Sequence, residues 1–288
     1  MIVDHEANVV YVADTLERKF SDVHSGLRTI LERHGIPLRV IPGTKDIWCR
    51  DYMPIQVAED RFVQFRYKPD YLGGRYKSLR RDGEIGPTMP FVRSCERSEI
   101  VLDGGNVVRW NDAAILTDKI YAENPRWGRK GLEEELRQVL GAHRLIVIPK
   151  EPEDVVGHSD GVVRFLDGGT VLVNAYRNVD ETYRRLLHWR LSAAGMRIVE
   201  LPYEPVGGAP RDIPSAVGNY LNFLHVGTVI VFPTYGKEAD EKARGILRTT
   251  FLGFHLLTLE SRRLAAEGGV LNCICWTVRD SGDQLAGG

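Results

Sequence analysis

Short apolar runs alternate along this chain with longer stretches in which hydrophobic residues recur at helical spacing. Val9-Val10-Tyr11-Val12 reads as a strand, and Phe20, Val23, Leu27, Ile30 and Leu31 then mark one face of a helix over about Thr15 to His34. Gly35 and Pro37 stop that helix, and Leu38-Arg39-Val40-Ile41 opens another strand. The order returns three times. A helix over about 131–140 leads to strand 145–148, one over about 181–194 to strand 197–201, and one over about 238–251 to strand 255–259. Strand-like runs at 107–110 and 171–174 precede two of these helices. Residues 72–98 break the pattern: they are rich in Gly, Arg and Pro and carry no apolar stripe, which predicts a loop-like insertion with a degraded helix.

Polar clusters punctuate the same repeat. Asp51 to Asp103 is 52 residues, Asp103 to His158 is 55, His158 to Asn219 is 61 and Asn219 to Cys273 is 54. Five stations at near-constant spacing predict an internal repeat. A unit of strands and one helix cannot bury its apolar face alone. Five such units in a ring would do so, and would aim equivalent strand ends at one central cavity. The clusters hold equivalent places in their units, so they are expected to meet there. No Pro/Ser-rich linker divides the chain, so one domain over 1–288 is expected, with a flexible tail from about residue 280.

Composition narrows the function class. Of the 288 residues, 43% are hydrophobic and the net charge is −1, without a Lys/Arg stripe, so nucleic acid is not an expected partner. No apolar run is long enough to span a membrane. The charged start Met-Ile-Val-Asp-His-Glu differs from a secretory leader. Cysteines at 49, 95, 273 and 275 are too scattered for a disulfide framework and contain no Cys-x-x-Cys pair, so a reduced, cytoplasmic protein without a zinc ribbon is expected. Self-association is left open by the sequence.

The clusters carry a coherent chemistry. Cys273 follows the paired Gly268-Gly269 in a strand-like run and is the candidate nucleophile, with Cys275, two residues on, as its structural neighbour. His158 lies two residues before Asp160, which on a strand would put imidazole and carboxylate on one face, and general acid/base work suits the histidine better than metal binding. Asp46 and Asp51 bracket Trp48 and Arg50; a planar guanidinium accepts bidentate carboxylates and an aromatic cover. Asp103-Gly-Gly-Asn106 reads as a tight turn in the cavity wall, and Asn219-Tyr-Leu-Asn222 holds the fourth station. One thiol, one imidazole and at least two carboxylates suit covalent attack on a guanidinium carbon. The expected catalytic set is Cys273, His158, Asp51 and Asp160. Trp48, Asp46, Arg50, Asp103 and Asn106 are the expected substrate contacts.

Asp46-Ile-Trp-Cys-Arg-Asp51 with Pro54, Asp103-Gly-Gly-Asn106, Gly157-His-Ser-Asp160, Asn219-Tyr-Leu-Asn-Phe223 and the late Gly-Gly…Cys273 stand in the order seen in agmatine deiminases and bacterial-type peptidylarginine deiminases. The chain resembles that family over roughly residues 40 to 278. The resemblance implies an α/β fold of the guanidino-group-modifying superfamily (pentein), a five-bladed α/β propeller. It further implies Cys273 as nucleophile, His158 as general acid/base, Asp51 and Asp160 as the carboxylates that grip the guanidinium, and Trp48 as the ring lining the channel. The implied reaction is hydrolysis of a small cationic guanidine to a ureido product and ammonia through a covalent thiouronium, with no metal and no organic cofactor. One departure stands out: the family residue before the nucleophile is typically His, and here it is Asn272.

Other readings use the same residues. An amidinotransferase would replace water by an amine. A binding propeller would not need thiol, imidazole and carboxylates together. A Cys-His-Asp acyl hydrolase would leave the second carboxylate unexplained. The substrate's far end is open as well: Arg75, Arg80 and Arg81 would suit a carboxylate and disfavour an amine tail.

Overall fold

A computed structural model of the chain describes residues 1–206 and 213–281. It contains five three-stranded sheets. Four of them repeat one order along the chain: an antiparallel hairpin, a connection, and a third strand parallel to the hairpin's second. The hairpins are Ile55–Ala58 with Arg61–Arg66, Val108–Trp110 with Ala113–Thr117, Val163–Asp167 with Thr170–Asn174, and Leu224–Val226 with Val229–Thr234. The matching third strands are Ser94–Val101, Arg144–Ile148, Arg197–Leu201 and His255–Glu260. The remaining sheet is assembled from both ends of the chain. Val9–Ala13 runs parallel to Leu38–Ile41, and its hairpin partner is Trp276–Val278, paired antiparallel with Val9 opposite Val278.

Three of the middle strands are covered on both faces and are largely apolar there. Val9–Ala13, Ala113–Thr117 and Thr170–Asn174 are buried at every position. Such strands read as unbroken hydrophobic runs instead of alternating ones. The crossover helices Arg129–Leu140, Glu181–Ala193 and Glu238–Thr250 match the expected stretches to within two residues. Each buries one stripe, as with Ala239, Ala243 and Leu247 at intervals of four.

The first helical stretch differs from expectation. It is broken at Phe20, whose backbone leaves the helical region, into Asp14–Lys19 and Ser21–Arg33. The break turns the Phe20 ring into the core beside Val23 and Leu27. The insertion predicted at 72–98 contains short 3₁₀ turns, Gly74–Glu84 and Gly86–Thr88, in place of an α-helix. Its glycines and Pro87 interrupt any run of i to i+4 bonds. The segment still has structural work to do. Buried Asp82 accepts backbone N–H bonds from Lys45 (2.8 Å) and Asp46 (2.9 Å), and so steadies the loop that leads to Trp48 and Asp51. The tail expected from about 280 begins with a tied residue: Asp280 accepts from Arg39 at 3.1 Å and pairs with Asn8. Residues 282–288 lie outside the described residues. Among the described residues no helix is long and apolar enough to cross a membrane.

Trp276 anchors the joint between the two ends. Its indole N–H donates to the Pro54 carbonyl at 2.8 Å, and its ring lies 5.4 Å from Tyr11, 6.1 Å from Phe62 and 5.5 Å from Phe91. Trp276→Ala is expected to cost about 3–5 kcal/mol in urea unfolding, the usual loss for a buried large aromatic. Trp189→Ala, at a side chain 60% exposed, should stay within about 0.5 kcal/mol of wild type.

Candidate active site

Every polar cluster lies in a connection that leaves the third strand of one sheet and enters the next sheet. Five such connections converge. Their meeting point is best read at Gly105, where a Cβ would fall 2.5 Å from Asp51 Oδ1, 2.7 Å from His158 Nδ1 and 3.5 Å from Asp160 Oδ1. Only a residue without a side chain leaves room for these three groups to crowd together. The Gly105 N–H also donates to Asp51 Oδ1 at 3.2 Å. Gly269 plays a similar part on the opposite wall, since a Cβ there would meet the Trp48 ring at 2.6 Å and Cys273 Cβ at 3.1 Å.

His158 is buried between two carboxylates. Its Nδ1 is 3.4 Å from Asp51 Oδ1 and its Nε2 is 3.0 Å from Asp103 Oδ2. Burial by itself lowers the imidazole pKa, but Asp51 and then Asp103 raise it further, to about 9. Burial pushes Asp51 up to about 7, against the pull of His158. Tyr71 donates to Asp103 Oδ2 at 3.2 Å, and its ring stands edge-on to His158 at 6.1 Å. Behind Tyr71 the buried Lys119 ammonium lies 4.7 Å from the ring and pairs with Asp70 at 3.0 Å and Glu123 at 3.3 Å.

Cys273 is half-buried. Its Sγ lies 3.2 Å from Asn222 Oδ1 and 3.7 Å from Asp160 Oδ2, and its backbone N–H points to the same Asn222 oxygen at 3.3 Å. Burial, followed by Asp160 and Asp51, holds the thiol well above its ordinary range. Cys275 is fully buried in the core.

Two local expectations are corrected. Residues 159–161 form a 3₁₀ turn, not a strand, so His158 and Asp160 share a pocket through the turn and not through a pleat. Cys273 also lies in a turn, with Ile274 N–H donating to Val270 and Cys275 N–H to Asn272. Asn272 therefore does not point away from the thiol, as a strand neighbour would: its Nδ2 donates to Asp160 Oδ2 at 2.7 Å.

These groups stand at a cavity of about 850 Å³ whose lining includes Trp48, Asp51, His158, Asp160 and Cys273, together with Asn222 and Tyr71. Asp46, Arg50, Asp103 and Asn106 are not in that lining. Asp103 backs the imidazole. Asn106 is buried, and its Oδ1 accepts from Thr117 N–H at 2.9 Å and Ser159 N–H at 3.1 Å, which fastens the histidine's turn to the neighbouring hairpin. Asp46 accepts the Ile47 N–H at 2.8 Å, and burial raises its pKa. Arg50 turns towards Asn272 and Thr277. The contacts of Asn222 were hidden in a station legible only as a position, and Tyr71 belongs to a stretch with no pattern at all. Of the arginines suited to a carboxylate, Arg80 donates to the Pro69 carbonyl at 2.6 Å, Arg81 is exposed, and neither is in the lining. The side chain of Arg75 lies outside the described residues.

The model of the Porphyromonas-type peptidyl-arginine deiminase family matches residues 1–278. An agmatine deiminase of Pseudomonas syringae pv. syringae is 26% identical over 279 residues, covering 82% of this chain and 76% of the relative. Among solved structures, the agmatine deiminase of Enterococcus faecalis superposes with a TM-score of 0.80 at 17% identity, covering 96% of this chain and 94% of that one. A C. jejuni agmatine deiminase with substrate bound gives 0.79 at 15% identity, covering 96% and 95%. The fold is thus that of the agmatine deiminases, and the match over nearly the whole chain carries the conclusion: this protein belongs to the Porphyromonas-type peptidyl-arginine deiminase family, enzymes that hydrolyse C–N bonds of guanidino groups.

Proposed function

We propose that the protein deiminates agmatine, or a guanidine with a similarly cationic tail, to the ureido product and ammonia. The observation that carries this reading is the charge of the cavity. Its described lining includes eight carboxyl groups, two of which, Asp51 and Glu151, burial raises to a pKa of about 7, and neither lysine nor arginine. Asp51 and Asp160 lie next to the thiol, while Glu151, Glu153, Asp154, Asp180, Glu204 and Glu267 line the rest. A substrate cationic at both ends complements such a surface, whereas the carboxylate of free arginine would be repelled. The convergence of five connections and the sheet shared by the two chain ends support one deiminase domain over residues 1–288. In this reading its sheets are the blades of an α/β propeller around the site.

The chemistry follows from the groups present. In the empty site the Cys273 proton is held tightly, first because the thiol is buried and then because Asp160 and Asp51 are near. A guanidinium bridging Asp51 and Asp160 would cancel their charge and let the thiol proton leave to solvent, so the substrate would help to make its own nucleophile. The thiolate then bonds to the guanidinium carbon. His158, kept protonated by Asp51 and Asp103, delivers its proton to the nitrogen whose C–N bond breaks, and ammonia leaves. The thiouronium remaining on Cys273 is attacked by water that gives a proton to the now neutral His158. The C–S bond breaks, the remaining hydroxyl proton of the adduct returns to the sulfur, and the ureido product departs. The Trp48 ring beside Cys273 would cover one face of the planar group.

Ammonia and ureido products are to be measured with agmatine, arginine, peptides with C-terminal and internal arginine, and guanidinoacetate. Agmatine should be preferred over arginine by at least ~10-fold in kcat/KM, since one charge-assisted contact is worth about 1.5–3 kcal/mol. A preference for arginine or its peptides would overturn the assignment. Cys273→Ala and Asp51→Ala should each lower turnover by ~10³-fold or more. Turnover surviving in Asp51→Ala would remove Asp51 from the grip on the guanidinium.

Imidazole NMR should show His158 titrating near pH 9. In Asp103→Asn the midpoint is expected to fall by about 1–3 pH units with the loss of one adjacent carboxylate. A raised folded-state pKa adds stability that is complete below about pH 6.5 and is lost as pH rises through about 9. The stability gap between wild type and Asp103→Asn should therefore shrink over that window in urea titrations. A midpoint near 6.5 in the wild type would remove His158 as the standing acid.

A further inference from the structure

The reaction just described leaves Asn272 and Arg50 without a part, yet Asn272 is bonded to Asp160 and Arg50 to Asn272. Asn272 is buried, and its Nδ2 donates to Asp160 Oδ2 at 2.7 Å. Its Oδ1 accepts from Arg50 Nη2 at 3.2 Å, and its backbone carbonyl accepts from Arg50 Nε at 3.3 Å. The Arg50 Nη2 also reaches Thr277 Oγ1 at 3.3 Å, and the Arg50 backbone N–H donates to the Cys273 carbonyl at 3.1 Å. An amide has one accepting and one donating end. A guanidinium at Oδ1 therefore leaves the NH₂ end for Asp160, and a flipped amide would set oxygen against carboxylate and NH₂ against guanidinium. Arg50 fixes the direction of the amide without touching Asp160.

The consequence falls on Asp160. Its Oδ2 accepts from Asn272 and, at 3.1 Å, from Asn222, and lies 3.7 Å from Cys273 Sγ. Two donors on one oxygen stop the carboxylate from rotating. Oδ1 is then the oxygen turned to the space where Asp51 and His158 also point, as its 3.5 Å approach to a Cβ on Gly105 shows.

We propose that Arg50 and Asn272 are a positioning pair that locks Asp160, with Oδ1 presented to the guanidinium of the substrate and Oδ2 held beside the attacking sulfur. The substrate half of this statement rests on the deiminase reading; the hold on Asp160 does not. Asp51, His158 and Cys273 face Asp160 from the cavity, and Arg50 and Arg164 lie behind it, so these are the charged and titratable groups packed around its carboxylate.

Asn272→Asp tests the pair, because it keeps the shape and exchanges the donor for a second carboxylate. Of two carboxylates at that distance one has its pKa strongly raised, because both cannot ionise freely. With agmatine at pH 7, KM should rise at least ~10-fold with kcat changed less, as expected when a group that grips substrate and transition state alike is disturbed. The acid limb of kcat/KM should move up by about one pH unit or more. Asn272→Ala should raise KM without moving that limb. Arg50→Lys, which keeps the charge and loses the two-point fork, should fall between wild type and Asn272→Ala. If Asn272→Asp does not fold, judged by circular dichroism, the KM order of the other two variants decides. Alkylation of Cys273 by iodoacetamide across pH needs no substrate, and its midpoint should be higher in Asn272→Asp than in wild type. A moved midpoint in a protein that turns over no guanidine would keep the pair and sink the deiminase reading. Wild-type turnover of agmatine, with KM, acid limb and alkylation midpoint all unmoved in folded variants, would sink the pair and keep the reading.

Discussion

The site depends on the pairing of Trp276–Val278 with Val9–Tyr11. Cys273 stands three residues before that strand, so the register of the last strand sets where the thiol lies. The joint is reinforced on both sides of the nucleophile. The Arg50 N–H donates to the Cys273 carbonyl, Cys49 Sγ donates to the Ile274 carbonyl at 3.0 Å, and the Trp276 indole holds the Pro54 carbonyl. These bonds bring the last station against the first across more than 200 residues of chain. A shift of one residue would turn each side chain of the closing strand to the other face of its sheet.

Given that closure, the site is an exercise in crowded negative charge. Asp51, Asp103 and Asp160 gather around one imidazole and one thiol, and each is restrained by a different device. Asp51 has the Gly105 N–H, Asp103 has the Tyr71 hydroxyl, and Asp160 has the two amides of Asn222 and Asn272. Carboxylates brought this close would repel one another without a cation between them. His158 supplies one cation in the empty site, and a guanidinium would supply the second. Burial, together with the same crowding by Asp160 and Asp51, holds the Cys273 thiol well above its ordinary range. A buried thiolate beside two anions is thus avoided in the resting protein, where it would be costly and open to oxidation.

Much of the architecture was legible along the chain because it rests on local patterns. Strand 197–201 and the helices begun near 131, 181 and 238 follow from apolar spacing alone, and four of the five crossovers kept that spacing. The polar stations were legible for a related reason: a repeat places equivalent loops at equal intervals. Less was legible where glycine and proline replace pattern, as in the 3₁₀ turns of 74–88 that brace the Trp48 loop through Asp82.

The sequence by itself determined the five units, the stations between them and the chemical inventory of Cys273, His158, Asp51 and Asp160, because each is encoded in spacing or residue type. Tertiary structure alone decided which members of a station face the cavity. Within one connection Trp48 and Asp51 line it, while Arg50 turns to Asn272 and Asp46 to its own backbone. The division has a physical cause. Asp46 and Trp48 lie in a loop and Arg50 and Asp51 in a single helical turn, Cys49–Tyr52, too short for a period of two or 3.6 to assign their directions. Direction there is set by hydrogen-bond partners 50 to more than 200 residues away, such as Gly105 for Asp51, Asn272 for Arg50 and Asp103 for His158.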